Sequence, residues 1–256
     1  MNSIYDEILK AGRNNRKTAL CTIISTKGST PRKTGAKMLV YEDGTVKGSI
    51  GGGELELSVI KDALKVIKQN KACVFKHDLL YQHAMCCGGT VEIFIEPLMN
   101  KRKLYIFGAG HTGNALAQFA SSLDFDIFII DDRKEYIDSI NVAGINKMNL
   151  EFLTALKALP FDENVFIVIL TYSHQADRDI LAYCIKKPFA YLGMIGSSRK
   201  IKMTEKLFLE GDIGTEEDLK KVNMPVGLDI NAETPEEIAI SILAEIIKVK
   251  NTVHEK

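Results

Sequence analysis

The 256-residue chain has no surplus of either charge. Lys and Arg number 33, as do Asp and Glu, so no global field draws it toward nucleic acid or an anionic membrane. No apolar run approaches the ~20 residues of a membrane-spanning helix. The N-terminal stretch Met1–Lys17 is polar and amphipathic and lacks the apolar core of a signal peptide. A soluble, cytoplasmic protein is expected. No Cys-x-x-Cys occurs, which argues against a cysteine-rich zinc site. The cysteines, Cys21, Cys73, Cys86, Cys87 and Cys184, are odd in number in a chain long enough to build its own core, so structural disulfides are not expected. Internal repeats and low-complexity segments are also missing.

What is present is a hydrophobic content of 46%, enough for a buried core in one large domain or two ordinary ones. The organising stretch is Lys103–Arg133, KLYIFGAGHTGNALAQFASSLDFDIFIIDDR. An apolar run, Leu104–Phe107, meets the glycine pattern Gly108, Gly110, Gly113. Leu116, Phe119, Ala120 and Leu123 then follow helix spacing, and a second apolar run ends in Asp131 and Asp132. Strand, glycine turn, helix, strand and acid together form the dinucleotide-binding fingerprint. Gly108 allows the tight turn, Gly110 lets the backbone approach a pyrophosphate, and Gly113 lets helix and strand pack closely. The free N–H groups and dipole at the helix start would hold phosphate, and Asp131 or Asp132 would take a ribose if one is present. The fingerprint speaks for the fold more than for the ligand.

Before it, Ile4, Ile8 and Leu9 suggest a short helix, and the β-branched run Thr18–Thr26 a buried strand. Ala36–Tyr41 and Thr45–Ile50 read as a hairpin around Asp43-Gly44. Glu54–Gln69 reads as a helix buried through Leu57, Ile60, Leu64 and Ile67. Ala72–Leu79 and the alternating Val91–Ile95 read as strands, with Pro97 ending the second. The polar link Asn100–Lys103 sets a boundary between domains 1–99 and 100–256. Beyond it, helices at Glu151–Leu159, Ala176–Lys186 and Ser198–Leu209 alternate with strands at Val165–Leu170 and Phe189–Ile195. A short helix opens at Thr215, and a last one, capped by Thr234-Pro235-Glu236-Glu237, is buried through Ile238, Ile242, Ile246 and Val249. The fold class is α/β: a C-terminal, Rossmann-like, doubly wound parallel sheet plus a smaller N-terminal α+β domain.

Six other stretches carry groups that bind anions or metals. Gly28–Gly35, GSTPRKTG, holds Arg32 and Lys33 in a turn whose N–H groups can form a nest, or is a solvated basic turn. Ser49–Glu56, SIGGGELE, runs Gly51, Gly52 and Gly53 into a helix start, which is either an anion site or a tight strand-to-helix turn. Glu54 and Glu56 belong in that first turn, where negative charge is favourable. Met85–Gly89 places Cys86 and Cys87 before two glycines; a thiolate there is a soft ligand or nucleophile, a buried thiol inert. Thr171–Asp179 follows a strand's carboxyl end, and His174 there donates to a phosphate or shuttles a proton, unless Ser173 and Asp177 only cap a helix. Gly193–Lys200 repeats the strand–glycine–helix pattern, with Ser197 and Arg199 as a second phosphate clamp or an N-cap with a solvated Arg. Pro225–Asn231 leads into the final helix and would border the same mouth.

Taken in order, GSTPRKTGAKMLV, GSIGGGELE, CCGGTVEIFIEP, LYIFGAGHTGNALA, YLGMIGSSRK and PVGLDINAETPEEIAISILAEII resemble the XdhC/CoxI family, accessory proteins of xanthine dehydrogenase and related molybdenum hydroxylases. The match runs from about Thr18 to Ile247. Asn231 replaces the glycine of the GLDIGA motif, and Asn tolerates left-handed backbone angles best after glycine. Cys86 is an extra thiol before the CGG of the family, so the family's thiol corresponds to Cys87.

The resemblance implies a chaperone that binds the molybdenum cofactor, as molybdopterin or its cytosine dinucleotide. It holds the cofactor during sulfuration and hands it to an apo molybdenum hydroxylase. A cysteine desulfurase would be a further partner and a homodimer the working form. Gly108, Gly110 and Gly113 would cradle phosphate. Gly51, Gly52, Gly53, Arg32 and Cys87 would face pterin or metal, with Cys87 a candidate molybdenum ligand. His174, Ser197 and Arg199 would line the mouth. No acid/base pair dedicated to turnover is evident. The rivals are an NAD(P)-dependent oxidoreductase, which the fingerprint and its acid support, and a regulatory protein that senses nucleotides.

Overall fold

The computed structural model describes residues 3–13, 16–80, 89–98 and 101–252. The chain divides into two compact units, Met1–Asn100 and Lys101–Lys256. Unit 1 runs α1 (Ile4–Arg13), β1 (Thr18–Lys27), β2 (Lys37–Tyr41), β3 (Val46–Gly48), α2 (Gly53–Gln69), β4 (Cys73–Asp78) and β5 (Thr90–Leu98). Its strands make one antiparallel sheet of order β3-β2-β1-β5-β4. Alternation along β1 sends Ala19, Cys21 and Ile23 into a core with Ile93, Ile95 and the buried face of α2. Leu20 turns the other way, joining Leu39, Tyr41 and Ala11 of α1.

Two expectations for unit 1 need correction. The row of α2 that is fully buried is Leu55, Val59, Ala63 and Val66. Ile60 and Ile67 are only partly buried beside it, and Leu57 is 54% exposed. The helix carries two adjoining apolar rows, and the row containing the small Ala63 is the one that meets the sheet. Nor does Pro97 end β5: it pairs with Ala19. Strand β4 begins at Cys73, opposite Ile95, so β5 is a local edge at Pro97 and the missing N–H leaves no ladder bond unmade.

Unit 2 runs β6 (Arg102–Phe107), α3 (His111–Ala120), β7 (Phe125–Asp131), α4 (Lys134–Ser139), β8 (Asn146–Asn149), α5 (Phe152–Ala158), β9 (Val165–Ile169), α6 (His174–Cys184), β10 (Tyr191–Met194), α7 (Ser198–Glu210), α8 (Glu216–Leu219) and α9 (Pro235–Thr252). Five parallel strands form a sheet of order β10-β9-β6-β7-β8. Helices α3 and α9 bury one face of it with Leu104, Ile106, Ile127 and Ile129. Helices α5 and α6 cover the other with Tyr105, Phe107, Ile130 and Ile167. The sheet is therefore doubly wound, as its continuous apolar strands require. Arg102 and Lys103, polar residues of the expected link, already belong to β6. Helix α4 and edge strand β8 were not expected. The sequence NKMN of β8 has no apolar pattern, and side chains anchor it: Asn146 Nδ2 donates to Asp126 at 2.8 Å, and Asn149 Nδ2 to the carbonyls of Asp131 and Asp132 at 3.1 Å.

The chain leaves β6 toward β7 and β8, then returns to lay β9 on the other side of β6. Strands β6 and β9 thus flank a topological switch point, where helices depart to opposite faces and open α/β sheets bind ligands. Among the described residues no helix is long and apolar enough to cross a membrane.

Candidate functional site

The glycine turn stands at this switch point. Gly108 has φ +115, and a Cβ there would overlap the Leu170 carbonyl, whose carbon would lie 2.8 Å away. A Cβ on Gly113 would overlap the Gly108 carbonyl, with the carbonyl carbon at 3.0 Å. These two glycines let β6, β9 and α3 converge. Gly110 differs: a Cβ there meets nothing within 4 Å. It is the N-cap of α3 and contributes no side-chain cap, so the first N–H groups of α3 receive no acceptor from the cap side chain.

The acid at the end of β7 is already engaged. Asp131 is fully buried. Its Oδ2 accepts from the Ala109 N–H at 2.7 Å and from Arg133 Nη2 at 2.9 Å. Its Oδ1 accepts from the Arg133 N–H at 3.0 Å and Nε at 2.9 Å. Burial raises the carboxyl's pKa, but the hydrogen bonds from Arg133 and Ala109 outweigh it and hold it below the ordinary value. Asp131 therefore shapes the turn, whereas Asp132 is exposed. Arg133 lies between two rings, 3.8 Å from the Tyr136 centroid and 4.2 Å from that of Tyr172. The Tyr172 hydroxyl donates to Asp132 at 3.0 Å, and this bond pushes its phenol above the ordinary value.

A second feature lies past β9 and β10. His174, Arg178, Ser197, Arg199, Lys200 and Met203 line a cavity of about 210 Å³. It brings His174, Ser197 and Arg199 together. Ser173 and Ser197 cap α6 and α7 by accepting from Ala176 N–H at 3.3 Å and Lys200 N–H at 3.4 Å. The Ser197 hydroxyl is thus a cap first. Below the cavity Lys200 Nζ donates to Asp177 Oδ2 at 2.6 Å and to the Ile195 carbonyl at 2.8 Å. Asp177, fully buried, also accepts from the Thr171 N–H and hydroxyl. This pair ties the loops after β9 and β10 together. Arg178 and Arg199 supply charge that Asp177 does not match, so the cavity suits an anion.

The Pro225–Asn231 loop is fixed to α9. Gly227 N–H donates to Glu245 Oε2 at 2.9 Å, and the Tyr191 hydroxyl donates to the same oxygen at 2.5 Å. Burial, then the bond to Glu245, pushes the Tyr191 phenol far up. Asn231 has φ +56, the left-handed angle that Asn tolerates in place of glycine.

In unit 1 the motif loops meet. A Cβ on Gly51 would lie 2.6 Å from Pro31 Cγ, and one on Gly89 would lie 2.8 Å from the Lys27 carbonyl oxygen. Arg32 is exposed on the same loop as Pro31. Cys86 and Cys87 lie outside the described residues. Cys21 and Cys184 are buried, which pushes both thiols up to about 12 and leaves them inert.

The nest before α2 is filled from within. Glu56 Oε1 accepts from the N–H groups of Ile50, Gly51 and Gly52 at 3.0, 3.3 and 2.9 Å, and from the Ser49 hydroxyl at 2.7 Å. Ile50, Gly51 and Gly52 therefore hold the chain's own carboxylate there, while Gly52 and Gly53 keep open faces. Burial raises the Glu56 carboxyl, yet these bonds lower it overall. Glu56→Ala should cost unit 1 about 1–3 kcal/mol by leaving those donors unpaired. The wild-type advantage should be full above the unfolded carboxyl's pKa and vanish as pH falls through the lowered folded value. Urea unfolding at neutral and acid pH checks both.

Sequence reading missed Arg133, Tyr136 and Tyr172, which join the start of α4 to the loop after β9 with no shared motif. It also missed Arg178, Lys200 and Met203. Helical spacing offered one signal: Arg178 falls one turn after His174, on the same face.

The model described as "XdhC Rossmann domain" matches residues 104–246, and that described as "XdhC and CoxI family" matches residues 11–78. A relative of Escherichia coli (strain K12), the uncharacterized protein YqeB, is 36% identical over 97% of this chain and 46% of its own length. A Bacillus subtilis (strain 168) relative, named as a probable xanthine dehydrogenase subunit, is 30% identical over 64% of this chain and 48% of its own. The chain thus spans about half the length of these two relatives. The "Molybdenum cofactor insertion chaperone PaoD" of Escherichia coli (strain K12) is 21% identical over 95% of this chain and 86% of its own. A crystal structure described as a xanthine dehydrogenase from Bacillus halodurans shares the fold, with TM-score 0.53 and 23% identity over 98% of this chain and 96% of that one. With the Rossmann-domain match alone covering more than half of its residues, the chain belongs to the XdhC and CoxI family.

Proposed function

We propose that this chain is an accessory factor for a molybdenum hydroxylase of the xanthine dehydrogenase type. It binds the molybdenum cofactor, holds it during sulfuration and passes it to the apo-enzyme, working as a homodimer with a cysteine desulfurase as sulfur source. One observation carries this: unit 2 pairs an open, uncapped glycine turn with a basic cavity at neighbouring strand ends. The cargo, a pterin bearing a phosphate or its cytosine dinucleotide with a pyrophosphate, needs such anion donors and room for backbone approach. Gly108 and Gly113 set the turn, Gly110 leaves the approach open, and His174 and Arg199 offer donors in the cavity. Within unit 1, Arg32 is a candidate anion donor and Cys87 a candidate soft thiolate ligand. Similarity to PaoD supports the role. The reading takes two domains with a boundary near residue 100, and the family models match residues 11–78 and 104–246 on either side of it.

The switch-point turn also favours an NAD(P)-dependent oxidoreductase, in which an acid at the end of β7 would bind a ribose diol. Both Asp131 oxygens are taken by Ala109 and Arg133, so that role would fall to the exposed Asp132. Mass analysis of the ligand that co-purifies from a molybdopterin-competent host should find a pterin species. Recovery of a nicotinamide nucleotide instead, or full hydroxylase activity in a host lacking this protein, would sink the proposal. Repeating the analysis with Cys87→Ala tests the thiol, and loss of the metal but not the pterin is expected.

A further inference from the structure

We propose that Tyr172 is a stacking platform for the planar base of a nucleoside diphosphate whose phosphates sit on the glycine turn. This deepens the cargo assignment above, and rests on it for the phosphate position: the ligand class becomes a nucleotide-bearing one.

Tyr172 follows β9, two residues after Leu170, whose carbonyl bounds Gly108. The residue is 58% exposed, yet three contacts hold the ring in place. Arg133 covers one face at 4.2 Å, Phe152 lies 6.5 Å away by ring centroids, and the hydroxyl is tied to Asp132 at 3.0 Å. An exposed aromatic ring gains little from burial, and its rigidity lowers the entropy lost when a ligand stacks on it. The platform is also coupled to the phosphate turn. Ala109 of the turn donates to Asp131, Asp131 holds Arg133, and Arg133 lies against Tyr172. A base stacked on Tyr172 extends the existing series Tyr136, Arg133, Tyr172. The exposed Asp132 carboxylate beside it is available to sugar hydroxyls. Stacking tolerates any base, so two sources share this chemistry: a nucleotide-extended pterin cofactor and a nicotinamide dinucleotide.

The test titrates full-length protein with inorganic pyrophosphate, CDP, ADP and NAD+ by calorimetry. The nucleotides should bind wild type more tightly than pyrophosphate does. Base–aromatic stacking corresponds to roughly 5- to 150-fold in affinity. Tyr172→Ala should erase that advantage and leave pyrophosphate affinity unchanged, while Tyr172→Phe should keep it. The chain has no Trp, so Tyr172→Trp adds a lone indole whose fluorescence CDP should quench. Preference for CDP assigns the subsite to the cytosine-extended cargo, and preference for ADP and NAD+ to a nicotinamide dinucleotide. If CDP binds no better than pyrophosphate, or Tyr172→Ala binds CDP like wild type, the platform is overturned while the phosphate turn stands. If no probe binds, the phosphate turn falls with it, and the pterin recovered by mass analysis remains a separate measure of the cargo role.

Discussion

Gly110→Ala is expected to abolish pyrophosphate binding with unit 2 still folded, and Gly113→Ala to lower the melting temperature. Gly110 has φ −66 and ψ −172, angles that any residue adopts, and its Cβ would enter open space. The structure loses only the difference between Gly and Ala at an N-cap, about 1 kcal/mol. The ligand loses more. Its oxygens need to come within ~3 Å of the N–H groups, and a methyl at the helix start keeps them out. Charged-group hydrogen bonds contribute about 1.5–3 kcal/mol each, so two lost bonds reduce affinity by roughly two to four orders of magnitude. At Gly113 the same methyl group meets the Gly108 carbonyl carbon and Leu170 Cδ1, each at 3.0 Å. Helix α3 has to move off β6, and such overpacking costs about 1–3 kcal/mol or more. For a protein of this size that is roughly 2–12 °C in melting temperature. Circular dichroism melts and pyrophosphate calorimetry separate the two variants. A Gly110→Ala protein that binds like wild type, or a Gly113→Ala protein that melts like it, contradicts the assignment.

The contrast between two glycines of one motif indicates what sequence can carry. The fingerprint, with its strands, helix and acid in local order, was legible because each part is fixed by neighbours in the chain. The doubly wound sheet followed from the alternation of elements. The buried row of α2 was misread because Ala63 counts little by hydrophobicity, although its size suits the sheet contact. Strand β8 was invisible because Asn146 and Asn149 anchor it by side-chain hydrogen bonds rather than by apolar alternation. At the site, His174, Ser197 and Arg199 could be named because each follows a strand end. Local spacing pairs Arg178 with His174 and Tyr136 with Arg133, but tertiary folding alone brings Arg199 to the first pair and Tyr172 to the second. Glu56 was placed correctly in the first turn of α2, but its role as the occupant of the glycine nest needed coordinates.

Asp131→Asn is expected to destabilise unit 2 by about 3 kcal/mol at neutral pH. The carboxylate accepts four hydrogen bonds, from Ala109 and from three Arg133 groups. Asparagine keeps one acceptor oxygen and turns an amide N–H₂ toward donors that need an acceptor. It also leaves the Arg133 guanidinium without its counter-charge between two rings. Breaking a buried pair from one side costs about 3–5 kcal/mol. The Arg133 side chain retains 25% exposure, so water recovers part of that and the lower end applies. The pH dependence distinguishes charge from shape. Burial works against ionisation, but the Arg133 and Ala109 bonds set the folded pKa below the unfolded one. The wild-type advantage is then full above the unfolded value and shrinks as pH falls through the folded value. Urea unfolding of both proteins should show curves that differ at pH 7 and converge in strong acid. A gap that stays constant with pH would mean that Asp131 acts through packing. In that case Asp131 would not be the electrostatic link between the glycine turn and the Tyr172 ring.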